Sequence, residues 1–576
     1  MNHERTTMHT IHTPSMMKGL FIIAALCLAT ACGDDDSGSD NTAATSNGTA
    51  TSNGTADTGM DTTNADTDMM SNSTTGGEDT DVDPDVPEED TTAPVVTLQV
   101  TENPNNILSA FVELSADEEV TVTVTTTDVE GTVWWEATGD EADRRHNMFA
   151  LGFAPEMEFT FTAVATDAAG NSATEEVAFT TGPLPDDAPP LDVRINQMDQ
   201  RANGMILFNV FRWNPGVDGG WGMMLALDME GRVVWYHRAN HRIQDVRVLS
   251  NGHILYEEPN AAAHIIDWTG EEVALLTANM LSIDSIHHEI EELPNGNWVT
   301  LGSELRNLGP YLNDENEEVN YDIVGDTIVE IDPTNGGSVV REHTFFDTLD
   351  PFIVNAGFNN PFWNNHYAEE APNGTKDWTH GNAVIYDASD DSFIASLRHL
   401  DALCKVSRTD GSLIWTFGPE GDFQLEGDGE FAFHQHAPEL TGPNRLIMYD
   451  NGNVRPAMDE GQASFSRVVE FQLDTSSEPW TAEQVWEYRG EESYFSVIVG
   501  DADLLGETVL ITDGGMVVDP DLPFRDDDNL KWSRLREVTH TENPDVVFEL
   551  VIRDDEAQTP VGYSIYRAEL LEQLMP

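Results

Sequence analysis

From residue 92 to about 183 the chain alternates apolar and polar positions in short runs: VVTLQV, AFVELSA, VTVTVTTT, TVWWEAT, EFTFTAVATD and EEVAFTT. A period of two sends successive side chains to opposite faces of a half-buried strand, and the turn residues between runs separate the strands. Their number and spacing predict a β-sandwich of about seven strands. GPLPDDAPPLD (182–192) is rich in Pro and Asp and reads as a linker. From about 190 to 576 a longer phrase recurs. A strand closing on an NG-type turn, as in VRVLSNGHILY or ELPNGNWVTL, precedes a DxxG-type hairpin such as ALDMEGRVVWYHR or KVSRTDGSLIWTFG. Paired hairpins of this kind predict four-stranded units, and the repeat counts about six of them. Closing such units into a ring removes exposed sheet edges. The reading is an all-β chain, a sandwich followed by a six-bladed β-propeller. The first convincing helical pattern is YRAELLEQL near the end.

Two segments before residue 92 read as something other than folded domain. KGLFIIAALCLATAC (18–32) sets a Lys before an apolar run too short for a comfortable membrane span. Small residues then lead to Cys32. The phrase resembles a bacterial lipoprotein signal, with Cys32 as the lipidated residue, although Leu is more usual where Ala29 stands. Residues 33–91 are Ser, Thr, Asn, Gly and Asp with almost no apolar content, a composition that stays disordered and acts as a tether. Residues 1–32 are therefore expected to be the signal and the chain to be exported and lipid-anchored, facing the periplasm or the cell surface, with either membrane open. The phrase AVATDAAGNSATEEVAFTT resembles the last hairpin of bacterial immunoglobulin-like or fibronectin-like sandwiches, which assigns 92–183 to that class.

Composition narrows the partners. With 104 acidic against 27 basic residues the net charge is -77, which repels phosphate backbones and excludes nucleic acid. Cys27, Cys32 and Cys404 are the only cysteines. Cys404 stands alone in the folded part, on a strand-like LDALCKVSR, and reads as a core residue.

Three histidines head similar phrases: His288 in HHEIEELPNGNWVTL, His380 in WTHGNAVIYDASDDSFIASLRH and His436 in HQHAPELTGPNRLIMYDNG. If the phrase is a structural repeat, the three imidazoles occupy related places and converge on one centre. Arg398, on the strand after His380, adds a permanent positive charge there. Such a group suits an anion. Three histidines also suit zinc, but Arg398 opposes a cation, and no HExxH, CxxC or EF-hand loop is present. Neither metal nor cofactor is expected. LRNLGPYLNDENEEVN and PFIVNAGFNNPFWNNHYAEEAPNG are long enough to roof the centre.

The stretch from DWTHGNAVIYDASDDSFIASLRHLDALCKVSRTDGSLIWTFG through HQHAPEL…LIMYDNG to SRVVEFQLD resembles the bacterial arylsulfate sulfotransferases, which are independent of PAPS. That resemblance covers about 190 to 576. It implies a six-bladed propeller behind a small N-terminal sandwich and ping-pong transfer of a sulfuryl group from an aryl sulfate to a phenol. It puts the sulfated histidine on His436 and the second histidine on His380, with Asn382 beside it. The strand arginine falls on Arg398 and the earliest histidine in the His287–His288 pair, with His288 preferred. Some members carry a disulfide in the loop before the nucleophilic histidine; here that loop, GPEGDFQLEGDGEFAF, has no cysteine. A neutral imidazole is a competent nucleophile near neutral pH, and Arg398, His288 and His380 would donate hydrogen bonds to the sulfuryl oxygens. Trp363, Trp378 and Phe495 are aromatic enough to stack on an aryl ring, although most propeller aromatics are core. The alternative is a non-catalytic surface propeller that binds a glycan or a protein. A calcium-dependent propeller hydrolase fits the Arg-containing centre poorly.

Overall fold

The computed structural model describes residues 90–212, 220–313, 315–455, 464–490, 494–519, 522, 529–554 and 562–574. The expected signal with Cys32, and all but the last two residues of the expected tether, lie outside the described residues. The described chain is all-β, with a single short α-helix at Ala278–Leu281.

The N-terminal sheet has five strands: Val96–Glu102, Ser109–Asp128, Val133–Leu151, Glu158–Thr166 and Ser172–Thr180. Seven were expected. One strand of the difference is lost at SADEEV, whose charges resemble a turn but which holds neither Gly nor Pro to break the backbone. The strand runs through it, and only the register to its partner shifts, between Ser115 and Val120. Inward positions of the alternation (Val112, Leu114, Val120, Val122 and Val124) pack against Phe153, Phe159 and Phe161.

Six further sheets follow residue 190. The first contains Met205–Arg212, Gly222–Leu227 and Val233–Ala239. The second runs from Val246–Val248 to Glu272–Thr277, and the third from His287–Glu292 to Ser338–Thr344. The fourth runs from Gly381–Asp387 to Leu413–Phe417, the fifth from His436–Gly442 to Trp480–Tyr488, and the sixth from Asp501–Leu504 to Val546–Ile552. Hairpin turns fall where the sequence puts them: Gly252, Gly270, Gly296 and Gly411 all take the left-handed φ that glycine reaches without strain. LRNLGPYLNDENEEVN forms no roof, because it extends the hairpin Trp298–Leu312 with Glu318–Asp332.

Both ends of this region complete sheets begun by the other end. Asp192–Asn196 pairs with the outer strand of the sixth sheet. Ala568–Leu571, expected as helix, is a strand paired with Met205–Phe208 of the first sheet. Pairing with that sheet overrides the helical propensity of AELLEQL, as tertiary context commonly does.

Successive sheets touch through their inner strands, and the first and second share one core around Trp235, Tyr256 and Trp268, so the six contacts make a closed cycle. At its centre lies a buried charged collar. Arg567 grips Glu289 in a two-pronged ion pair at 2.5 and 2.7 Å. Arg247 bonds Glu289 at 2.5 Å and also pairs with Glu569. Asp245 and Asp501 stand 3.5 and 3.8 Å from Arg567. Removing one member of a buried pair strands the other, at about 3–5 kcal/mol. Arg567→Ala is expected to lower the unfolding free energy measured in urea by about that amount, and so the midpoint, and Arg567→Ala together with Glu289→Leu to recover part of it. An unchanged midpoint in the single variant would show that the collar does not hold the sheets together.

Candidate active site

Three neighbouring sheets open with the same distortion. In each, the ladder between the first two strands slips near its start: between His287 and Ile290, between Gly381 and Ala383, and between His436 and Glu439. Beside each slip a residue other than glycine takes a left-handed φ: His288 at 69°, His380 at 47° and Ala437 at 44°. A bulge turns a side chain away from the direction its strand would give it. Each left-handed residue costs about 1 kcal/mol or more, and such strain gathers at functional sites. The three phrases are thus one repeat structurally, and they aim three imidazoles into one cavity.

That cavity holds about 230 Å³, and its lining includes His288, His380, Arg398, His436, Arg242 and Phe362. The His288 and His380 ring centroids are 5.5 Å apart. Among the described residues no carboxylate lines it, a sharp local departure for a chain of net charge -77. Arg398 lies one residue beyond its strand, in the 3-10 turn Arg398–Leu400, where its backbone N–H donates to the His380 carbonyl at 3.2 Å. Burial pushes the Arg398 guanidinium down to about 10, so it stays cationic at neutral pH. Of the expected site residues, Asn382 and His287 do not line the cavity. Asn382 is fully buried and donates to the Gln435 carbonyl at 2.7 Å, fixing the backbone next to His436.

Hydrogen bonds behind the histidines set which nitrogen each presents. Nδ1 of His436 is 2.6 Å from Oδ1 of Asn451. The Asn451 amide nitrogen donates to the Ser496 and Val499 carbonyls at 2.9 and 2.8 Å, so its oxygen is left to accept. His436 therefore carries its hydrogen on Nδ1 and keeps a lone pair on Nε2. Burial, and then the charge of Arg398, hold the imidazole down to about 3, so the ring is neutral. Nδ1 of His380 meets Oδ2 of Asp377 at 2.6 Å. Burial pushes that carboxyl up to about 7 against the opposing pull of His399. His380 also stacks on His399, with centroids 4.4 Å apart.

Behind His288 the chain is longer. Its Nδ1 is 2.8 Å from Nδ1 of His287, whose Nε2 donates to the Gly302 carbonyl at 3.1 Å, with Asp326 Oδ1 3.2 Å away. Burial, and then the charges of its neighbours, hold His288 well below the usual histidine value. His288 therefore turns Nδ1 back to His287 and Nε2 towards the cavity.

Sequence reasoning missed Asn451, Asp377, Asp326, Arg242 and Phe362. Asn451 stands within the quoted phrase LIMYDNG and Asp377 three residues before His380, yet neither has a spacing that announces a buried partner. Phe362 comes from the expected roof, PFIVNAGFNNPFWNN, and its ring lies 5.0 Å from that of His380. Trp363 and Trp378 are 1% exposed and belong to the core. Cys404 is buried between strands, and burial pushes its thiol up to about 12, which leaves it inert.

Residues 193–564 match the family model described as Arylsulfotransferase (ASST). The chain is 25% identical to arylsulfate sulfotransferase AssT of Escherichia coli O6:H1 over 36% of its own length and 41% of that protein. It is 26% identical to arylsulfate sulfotransferase AssT of Lelliottia amnigena over 21% of its length and 24% of that protein. The aligned stretches thus span less than half of either relative. Among solved structures, hydrazine synthase of Kuenenia stuttgartiensis aligns at 9% identity, covering 55% of this chain and 70% of that one, with a TM-score of 0.29, too low to carry an argument. The family match extends from the strand that completes the sixth sheet to one that completes the first and takes in the whole histidine cavity, so the chain belongs to the arylsulfotransferase family.

Proposed function

We propose that the chain transfers a sulfuryl group from an aryl sulfate ester to a phenol, in two displacements through a sulfated His436, without PAPS. The observation that carries this reading is a neutral His436, its Nε2 lone pair open to a cavity that also holds the Arg398 guanidinium and no carboxylate. In the first displacement Nε2 bonds to sulfur as the bond from sulfur to the aryl oxygen breaks. The leaving phenolate takes a proton from Nε2 of His380, which enters as an imidazolium with its Nδ1–H held by the ionised Asp377. In the second the acceptor phenol returns a proton to His380, its oxygen bonds to sulfur, and Nε2 leaves. Charge on the equatorial oxygens, as in phosphoryl transfer, is met by Arg398, with Arg242 contributing to the field. Asn451 accepts the Nδ1–H throughout and so needs no proton transfer. Asp377 makes His380 the stronger base of the two remaining histidines. His288 turns Nε2 to the same cavity, within reach of the incoming phenol. A cavity of about 230 Å³ lies below the ~300 Å³ usual for drug-sized ligands and favours a single-ring substrate.

The same reading takes the six sheets as blades of a six-bladed β-propeller (190–576) and the five-stranded sheet as an immunoglobulin- or fibronectin-like sandwich (92–183). The closed cycle of sheet contacts supports the first. The lipoprotein-type signal at 1–32, with Cys32 lipidated, and the tether at 33–91 support export to a membrane facing the periplasm or cell surface.

Purified protein is expected to release 4-nitrophenolate from 4-nitrophenyl sulfate in proportion to added phenol and without PAPS. His436→Ala should abolish release, and Arg398→Ala should slow it by about a hundredfold or more. Release independent of phenol would indicate a hydrolase, and none from folded protein would favour the binding propeller. Asp377, with its carboxyl pushed up to about 7, accepts the His380 hydrogen only when ionised. The kcat/KM is therefore expected to rise through about pH 7 and level off above it, and Asp377→Asn to lower the plateau and erase that limb; a limb that persists in the variant would assign it elsewhere. Nitrogen-15 spectra of labelled histidine should keep His436 neutral and protonated on Nδ1 from about pH 8 down to about pH 5, where an ordinary histidine has gained its charge. A mixture of tautomers in the parent protein would remove the nucleophile assignment.

A further inference from the structure

A second group of histidines lies in the second sheet, behind the cavity wall. His264 stands on the strand Ala262–Ile266, directly across from Tyr256, whose ring stacks on it at 4.8 Å and 2°. Glu258 ends the neighbouring strand, and His241 comes from the connection leading into the sheet. One ligand atom each from His241, Glu258 and His264 lies within 4.8 Å of the others. Nδ1 of His264 is 2.9 Å from Oε2 of Glu272, an acceptor, so Nδ1 carries the hydrogen and Nε2 turns towards Glu258, 3.4 Å away. Nε2 of His241 is buried and finds no partner among the described residues.

We propose that His241, Glu258 and His264 bind a divalent transition metal ion of the zinc class, with Glu272 as the outer carboxylate that orients His264. Two imidazoles and a carboxylate form an established ligand set for such ions, with water in the fourth position. A carboxylate behind a ligating histidine fixes its tautomer and strengthens it as a donor. An ion pair between His264 and the two glutamates would account for His264 alone, and it leaves the buried His241 nitrogen unmet; a metal satisfies all three. Bonds of about 2.1 Å in a tetrahedron separate ligand atoms by about 3.4 Å, so binding draws the three inwards. Glu258, whose side chain is 35% exposed, is free to make that move. The group Asp377, His380 and His399 has a comparable spacing, but Arg398 shares a cavity with His380 and its guanidinium opposes a cation.

The metal site does not depend on sulfuryl transfer, but it touches the same wall. His241 precedes Arg242, and Glu258 precedes Pro259 and Asn260, all three of which line the histidine cavity. A bound ion would clamp the two segments that carry them.

The test uses the full chain, freed of metal by chelation and titrated with Zn²⁺ by calorimetry and with Co²⁺ by visible absorption. One saturable equivalent is expected, with the intense visible bands of four-coordinate Co²⁺ and a rise in Tm as the ion is added. His241→Ala and Glu258→Gln should each weaken binding by about a hundredfold or more, and Glu272→Gln by roughly ten- to a hundredfold. His380→Ala should bind as the parent does. The proposal is overturned if folded parent protein shows no saturable binding, if binding survives both His241→Ala and Glu258→Gln, or if it is lost in His380→Ala instead. Glu258 lies at the surface end of its strand, so its variant tests the site without removing a core side chain.

Discussion

The meeting of the inner strands constrains everything else. Six sheets in a closed cycle bring their first strands together, and the charges on those strands end up away from water. Asp245, Glu289, Asp501 and Glu569 come from four different sheets or from the segments leading into them, and Arg247 and Arg567 bridge them. Carboxylates so placed are costly unless paired. The pairing also imposes geometry, because a two-pronged Arg567–Glu289 contact tolerates little displacement between the last strand of the chain and the third sheet. Glu289 follows His288 directly and Arg567 follows Tyr566, whose ring is 6.0 Å from that of His288. The contact that closes the cycle thereby positions the first cavity histidine.

From this frame the bulges acquire a physical purpose. A regular inner strand sends its side chains alternately into the sheet packing on either side. Slipping the ladder at its first residues, with a left-handed residue beside the slip, turns the head of the strand towards the centre. Repetition of this device in three neighbouring sheets explains why histidines far apart in the chain converge. The same repetition made the site legible in sequence, since a phrase that recurs with its histidine at the head carries its position with it. Arg398 was legible because it directly follows the strand Ser392–Leu397, which pairs with the one His380 precedes. What was not legible is whatever reaches a histidine from behind. Asn451 and Asp326 come from other strands, and their roles follow from where their hydrogen bonds go rather than from spacing.

The fold was legible in the same measure. Period-two alternation and glycine turns located the strands of the six sheets, because each turn needs a left-handed residue that glycine supplies. The errors arose where local pattern and tertiary pairing disagree. SADEEV resembles a turn in charge but not in backbone freedom, and two expected strands became one. AELLEQL resembles a helix, but its first four residues complete the first sheet. The missing cysteines before His436 have a structural counterpart that the pattern did not suggest. Phe423–Glu426 pairs in parallel with Trp480–Glu483 of the fifth sheet, and Phe423 packs against Trp415, Phe417 and Trp480. Hydrogen bonds and aromatic packing hold that loop where some members of the family use a covalent link.

The proposed transfer needs a neutral nucleophile at His436, and the electrostatics of the cavity provide one. A cationic ring at His436 or His288 would be repelled by Arg398 and Arg242, and burial penalises it further, so these two stay uncharged. Such an arrangement attracts an anion without consuming the lone pair that must attack it. A site of several protonated histidines would bind sulfate at least as strongly in the ground state and would have no nucleophile to offer. In the proposed transfer the cavity thus separates the two tasks, giving charge to arginine and reactivity to His436, with the Asn451 carboxamide deciding which nitrogen is exposed. An amide suits that position because it accepts a hydrogen bond without the charge of a carboxylate, which would raise the imidazole's affinity for a proton and cancel the attraction for the anion.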